Sequence, residues 1–350
     1  MKSRSRSTLV LSSLLALSTA ALAACDSTVG VGGDPETAVK GNATPAASPS
    51  DTDPAGTVID LDEDITDLAA VKDTIAVRTA DQVRIGSQDD FAAKKAKSID
   101  VDSTCGDLSS SESGFVLACP DKVLLIDPSA PESPEEIKME EDFQVTAATQ
   151  LSTGEVFVTA SDSAVVGRYK DGTRDGEISV EAGSDQMLAV PNADGDDGIV
   201  RIQRSDSTIQ NIDWPNDRAG GRLRAGQGVG QIAVGNNGVV LASDTEGGRI
   251  AVYTSDDVVR LHQYGVVDGT PWAVAWDDSR ELAWVTTTDN NIAHAYSIDK
   301  GVPESRGEIA TLADAQNISA LSNGTIVVAS ASGQGLQFVA DPHLTKAKES

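Results

Sequence analysis

The chain repeats itself, and the repeat constrains its fold more than any single motif. A short apolar run rich in β-branched residues begins at Ile75, Phe115, Val156, Ile199, Val239, Leu282 and Ile326, at spacings of 40, 41, 43, 40, 43 and 44 residues. A second run begins at Val83, Val123, Val165, Ile209, Ile250, Ile292 and Leu336, at spacings of 40, 42, 44, 41, 42 and 44. Two rulers sharing one period mark a repeat architecture. A further strand-like piece precedes the first run, as in "GQIAVGNNG" and "NISALSNG". A weaker one follows the second, as in "SIDVD", "EISVE" and "EIATL". Alternating apolar residues broken by Gly, Asn and Asp turns read as antiparallel hairpins. Nothing after residue 57 holds a helical period over several turns.

Four short strands in each unit of about 42 residues is the pattern of a propeller blade. The sequence therefore predicts an all-β fold over 57–341, a seven-bladed β-propeller with four-stranded blades. Only six units carry their own fourth strand; the seventh ends near Ala340. The missing strand is available at Val58-Ile59-Asp60-Leu61, and donating it to the last blade would close the ring and cover an open edge. Residues 342–350 read as a polar tail.

The segment 281–301, "ELAWVTTTDNNIAHAYSIDKG", is similar to the YVTN-type β-propeller repeat, in which two apolar strands flank an Asp-Asn turn and the second ends in Asp. "VVLASDTEGGRIAVYTSDD" follows the same plan, and "VLACPDKVLLIDPS" does so more loosely. The resemblance spans about 280 residues. It implies the fold and leaves the activity open, because propellers host many unrelated functions.

The N-terminus reads as an address. Lys2, Arg4 and Arg6 precede an apolar stretch, Leu9 to Ala23, of 15 residues, shorter than the ~20 a spanning helix needs. It runs into Leu22-Ala23-Ala24-Cys25, which resembles the bacterial lipobox. That resemblance implies a lipoprotein signal peptide over 1–24, cleavage before Cys25, and diacylglycerol on its thiol, with acyl chains such as palmitate anchoring the protein to the outer face of the cytoplasmic membrane. Residues 26–56 are rich in Gly, Pro, Ser, Thr and Ala and lack aromatics; with Cys25 they read as a lipidated, disordered tether over 25–56. The combination of lipobox, tether and acidic propeller resembles uncharacterised actinobacterial propeller lipoproteins.

The formal charge is −27, and −30 once the three cations of residues 1–24 are removed. Such a chain repels a polyanion, which excludes nucleic acid as a partner. It also repels anionic headgroups, so the folded part is expected to hang from its anchor.

Cys105 and Cys119 remain. If the second unit's first two strands form a hairpin turning at Ser111-Glu112-Ser113, the two cysteines face each other, close enough to bridge. An extracytoplasmic address favours their oxidation.

Signals for chemistry are sparse. G-x-S-x-G, H-E-x-x-H and the phosphate-binding loop are missing, and no catalytic residue is assigned. "GQGVGQ" (226–231) opens a strand, not a helix, and reads as a turn between blades. "NADGDDG" starts like a calcium loop with Asn192, Asp194 and Asp196, but lacks the Gly and Glu that complete one. No cofactor is expected, a weak calcium site there being the one candidate. His262, His294 and His343 show no clustering, and the tryptophans of the sixth unit read mainly as packing between blades. The starts of the seven inner strands align as Asp67, Asp107, Thr146, Gln186, Gln231, Trp272 and Asn317. In a propeller these would ring one mouth of the central channel and could hydrogen-bond a polar ligand. Three functions remain open: a membrane-anchored scaffold presenting loops or channel mouth to an envelope protein, peptide or glycan; a metal-dependent, lactonase-like hydrolase using Asp67, Asp107 and Asn317; and a ligand or ion carrier serving a transporter.

Overall fold

A computed structural model describes residues 39–140, 143–181, 183–193 and 195–344. The signal segment, Cys25 and the first part of the tether lie outside the described residues, as do 345–350. Among the described residues no helix is long and apolar enough to cross a membrane.

Seven four-stranded antiparallel sheets form the ring, six of them ordered from the inner strand outwards as the chain runs. The inner strands are Asp67–Val71, Leu108–Ser110, Ala147–Gln150, Gln186–Val190, Val229–Val234, Pro271–Asp277 and Ala315–Ala320, in blades 1 to 7. Both rulers land on strands: the first on the second strand of every blade, the second on the third. Blade 7 takes its outermost strand from the N-terminus, where Thr57–Ile59 pairs antiparallel with Leu336–Val339 through Thr57↔Phe338, Val58↔Gln337 and Ile59↔Leu336. The ring thus closes between the two ends of the propeller, as the strand count required.

The apolar side chains form seven clusters, one at each junction between neighbouring blades. This explains why these second strands read as mainly apolar runs: Phe115–Cys119, Leu282–Thr287 and Ile326–Ser330 are buried throughout, because both sheet faces are covered. Buried hydroxyls tie the faces together. Ser109 donates to the Ala148 carbonyl at 2.8 Å, and Ser243 to the Trp272 carbonyl at 2.6 Å. The closing junction, blade 7 to blade 1, is stitched on its far side by Asp73, which accepts from the Ser322 hydroxyl and the Asn323 N–H. The one α-helix among the described residues, Gln88–Ala92, is capped reciprocally by Ser87 and Asp90.

Two expectations need correcting. The tether was expected to be disordered throughout, yet residues 39–56 form a strap bound along the ring. Lys40 and Gly41 donate to the Gln227 carbonyl, and Asn42 to that of Arg204. Ala43 is buried against blades 6 and 7. The Ser48 hydroxyl donates to the Thr288 carbonyl and accepts from the Asp314 N–H, and Asn291 holds the Pro49 carbonyl. A segment poor in apolar residues is bound here through backbone groups, which composition does not report. The polar tail begins later than expected: Leu344 bridges to Gly307 on the outer strand of blade 6.

Candidate functional site

Six of the seven aligned residues line one cavity of about 530 Å³ that runs along the channel, reaching Ala70, Val234 and Ala320 as well: Asp67, Asp107, Thr146, Gln186, Gln231 and Asn317. Several are held by the neighbouring blade. Asp67 accepts the Leu108 N–H at 2.7 Å and its own neighbour Leu68 at 2.9 Å. Gln186 accepts the Ile232 N–H at 2.9 Å, and Gln231 donates to the Gln316 carbonyl at 3.1 Å, reaching past blade 6 to blade 7.

Trp272 is not among them. Strand pairing shows why: Ile232 opposes Ala242, Val274 opposes Val285 and Ile318 opposes Val328, each just after an irregularity in the inner strand. In this register the equivalent of Gln231 and Asn317 is Ala273. The extra residue of a bulge moves side chains to the other face. Trp272 therefore turns into the packing between blades 6 and 7, 8% exposed. From blade 6 the cavity receives Val274, Ala275 and Trp276.

A second bulge shapes the mouth in blade 2. The hairpin turns at Ser111 to Gly114 and pairs Leu108 with Leu117, one residue away from the expected register. The Gly106 N–H donates to the Ala118 carbonyl at 2.7 Å, and the Ala118 N–H donates to the Asp107 carbonyl at 3.2 Å. Two residues thus face one, which restores the match of Cys105 to Cys119, and the disulfide forms. Only glycine fits at 106: a Cβ there would lie 2.0 Å from the Thr146 carbonyl oxygen.

Sequence reasoning missed three charged residues in this cavity: Arg78, Arg204 and Asp185. Arg78 ends the second strand of blade 1 opposite Asp67. It donates to the Gly106 carbonyl at 2.6 Å and to that of Cys105, and is 8% exposed. Arg204 follows the second strand of blade 4. Its Nε donates to the Gly230 carbonyl at 2.7 Å, its guanidinium lies 5.9 Å from the Trp272 ring centroid, and its own N–H is held by Asp185. The available signal was a cation at the end of a second strand, Arg78 in "TIAVRT" and Arg204 in "GIVRIQR".

Burial pushes the Asp67 carboxyl up to about 6, against the two backbone donors and the two arginines that favour its charge. Asp107 is raised well above the usual carboxylate range by burial, then by the Asp67 charge beside it. Burial lowers Arg78, opposed by Asp67 and Asp107. Asp107 Oδ2 and Thr146 Oγ1 are shielded from solvent without a hydrogen-bond partner. Asn317, 6% exposed, also has no side-chain partner among the described residues.

The other candidates stay apart. Asp194 lies outside the described residues, Asn192 braces its own loop by donating to the Asp196 carbonyl at 3.0 Å, and Asp197 accepts the Ser152 N–H at 2.6 Å. His262 meets Thr254, while His294 is buried beside Thr287 and its pKa is lowered by burial. No group of three or more His, Cys, Asp or Glu among the described residues is placed to hold a metal ion.

No family model matches the chain, and no curated protein matches it in sequence. Solved structures do match in fold. The WD40 β-propeller domain of Doa1 is 17% identical with a TM-score of 0.59, covering 85% of this chain and 98% of that one. A chain of the mitotic checkpoint complex is 13% identical with a TM-score of 0.65, covering 87% and 98%. Streptogramin B lyase is 13% identical with a TM-score of 0.62, covering 83% and 97%. At these identities the likeness shows the propeller and no activity.

Proposed function

We propose that this protein is an extracytoplasmic binding propeller of the bacterial cell envelope. It is anchored through lipid on Cys25 and offers its channel mouth to an envelope protein, peptide or glycan. The carrying observation is the mouth itself: a polar cavity of about 530 Å³ in which Asp107, Thr146 and Asn317 hold hydrogen-bonding atoms without protein partners. The two shielded oxygens, Asp107 Oδ2 and Thr146 Oγ1, cost stability, typically about 1–3 kcal/mol each, and a ligand that meets them recovers the cost. The neighbours support a binding role in part, since one of them belongs to a multiprotein complex.

Asn317→Trp fills the cavity without altering its charges. Quantitative capture from the protein's own envelope should lose partners with this variant, and identical partner sets would defeat the mouth as the binding site. Cys25→Ser should move the protein from membrane to soluble fractions; retention at the membrane would defeat lipid anchoring.

A further inference from the structure

The polar groups of the mouth are not spread evenly. Blades 1 to 3 contribute Asp67, Arg78, Asp107 and Thr146, and blade 4 contributes Arg204 together with Asp185, which accepts the Arg204 N–H. The guanidinium uses Nε on the Gly230 carbonyl and rests near the Trp272 ring, and its terminal nitrogens have no partner among the described residues. A guanidinium held in this way presents a fork of N–H groups that fits a carboxylate in two-point contact. The acidic arc offers the reverse: Asp107 Oδ2 and Thr146 Oγ1 are acceptors lacking donors. Arg78 does not serve as a second anion receptor, because its terminal nitrogens are engaged by the Gly106 and Cys105 carbonyls.

We propose that the mouth binds a small zwitterion, a short peptide with free termini, its carboxylate on Arg204 and its ammonium on Asp107 and Thr146. This rests on the reading of the mouth as a binding site and names the ligand class. A simple anion leaves the acidic arc unmet. A divalent cation meets two guanidinium groups. A neutral sugar satisfies neither charge. The ligand's ammonium also has a proton-linked consequence. Asp107 is hard to ionise beside Asp67, even with Arg78 and Arg204 near, and Asp185 adds a third carboxylate to the lining. An ammonium beside it favours the carboxylate, so binding releases a proton.

The test is calorimetric titration of the full chain in mild detergent with Ala-Ala and with its N-acetylated, C-amidated and doubly blocked forms, at neutral pH in two buffers of different ionisation enthalpy. Ala-Ala is expected to bind with proton release, and blocking either end should weaken it at least tenfold. In Arg204→Gln amidation should no longer matter, and in Asp107→Asn acetylation should no longer matter and proton release should vanish. Asn317→Trp, which leaves the charges in place, should abolish binding. Equal affinity for free and blocked forms, no binding of Ala-Ala at millimolar concentration, or binding of inorganic phosphate or calcium alone would each overturn the proposal. Should Ala-Ala fail while Asn317→Trp still loses envelope partners, the zwitterion is wrong and the mouth reading stands.

Discussion

Replacing Gln337 with leucine should open the ring at its closure. Gln337 is fully buried in the third strand of blade 7. Its Oε1 accepts the Leu312 N–H at 3.1 Å, and its Nε2 donates at 2.8 Å to the carbonyls of both Ala55 and Ala310. One side chain therefore joins the end of blade 6, blade 7 and the entering N-terminal strand. Gln337→Leu keeps the approximate volume and strands the Leu312 N–H and the Ala55 carbonyl; the Ala310 carbonyl keeps the Ala55 N–H at 3.0 Å. Two orphaned buried groups at about 1–3 kcal/mol each give a loss of about 4 kcal/mol. With unfolding entropy of about 2.1 cal/mol/K per residue over roughly 300 residues, that lowers Tm by about 6 °C. Thermal melts followed by far-UV circular dichroism give the shift, and hydrogen exchange locates it. Amides of Thr57–Ile59 and Leu336–Val339 should lose protection before those of blade 3. A variant melting within 1 °C of the wild type, or protection lost evenly around the ring, would refute the closure argument.

Three further outcomes are expected. Asp67 is raised from 3.8 to about 6, so the folded state holds a proton that the unfolded chain has released, and stability falls as pH rises from about 4 to 6. Asp67→Asn should remove up to about 2–3 kcal/mol of that fall; urea midpoints at pH 4 and 7 dropping equally in both proteins would contradict it. Reducing the Cys105–Cys119 disulfide, which spans a sequence separation of 14 residues, should cost about 3 kcal/mol, and a melt insensitive to reductant would show that the bulged hairpin holds without it. Gly106→Ala places a methyl group against the Thr146 carbonyl and should displace Asp107. It should lower Tm and return the Asp107 titration, read by side-chain carbonyl NMR, towards ordinary values; an unchanged titration would separate the bulge from the site.

How much was legible in advance depended on the range of the interaction. The blades were legible because the second strands are covered on both faces, so Phe115–Cys119 and Ile326–Ala329 had to be apolar, and a period repeated seven times stands above local ambiguity. Closure by Val58-Ile59 followed from counting strands. The mouth was legible as a ring of polar starts, but one position was misplaced, because blade 6 has Ala273 where blades 5 and 7 have Gln231 and Asn317, so its apolar run reads as starting one residue early. Arg78, Arg204 and Asp185 escaped because they lie at strand ends, where a charge usually meets water. Only the convergence of separate blades on the channel brings those charges together.

By itself, then, the amino-acid order determined the number of blades, the strand plan of each and the need for the chain's two ends to meet, since these follow from which residues can be removed from water at a fixed spacing. The tertiary structure decided the rest: which side of a bulge faces the channel, that Pro- and Ser-rich residues 39–56 bind along the ring, and that three aspartates and two arginines line one small cavity. Those outcomes depend on distances between residues remote in the chain, and a periodic pattern carries no information about such distances.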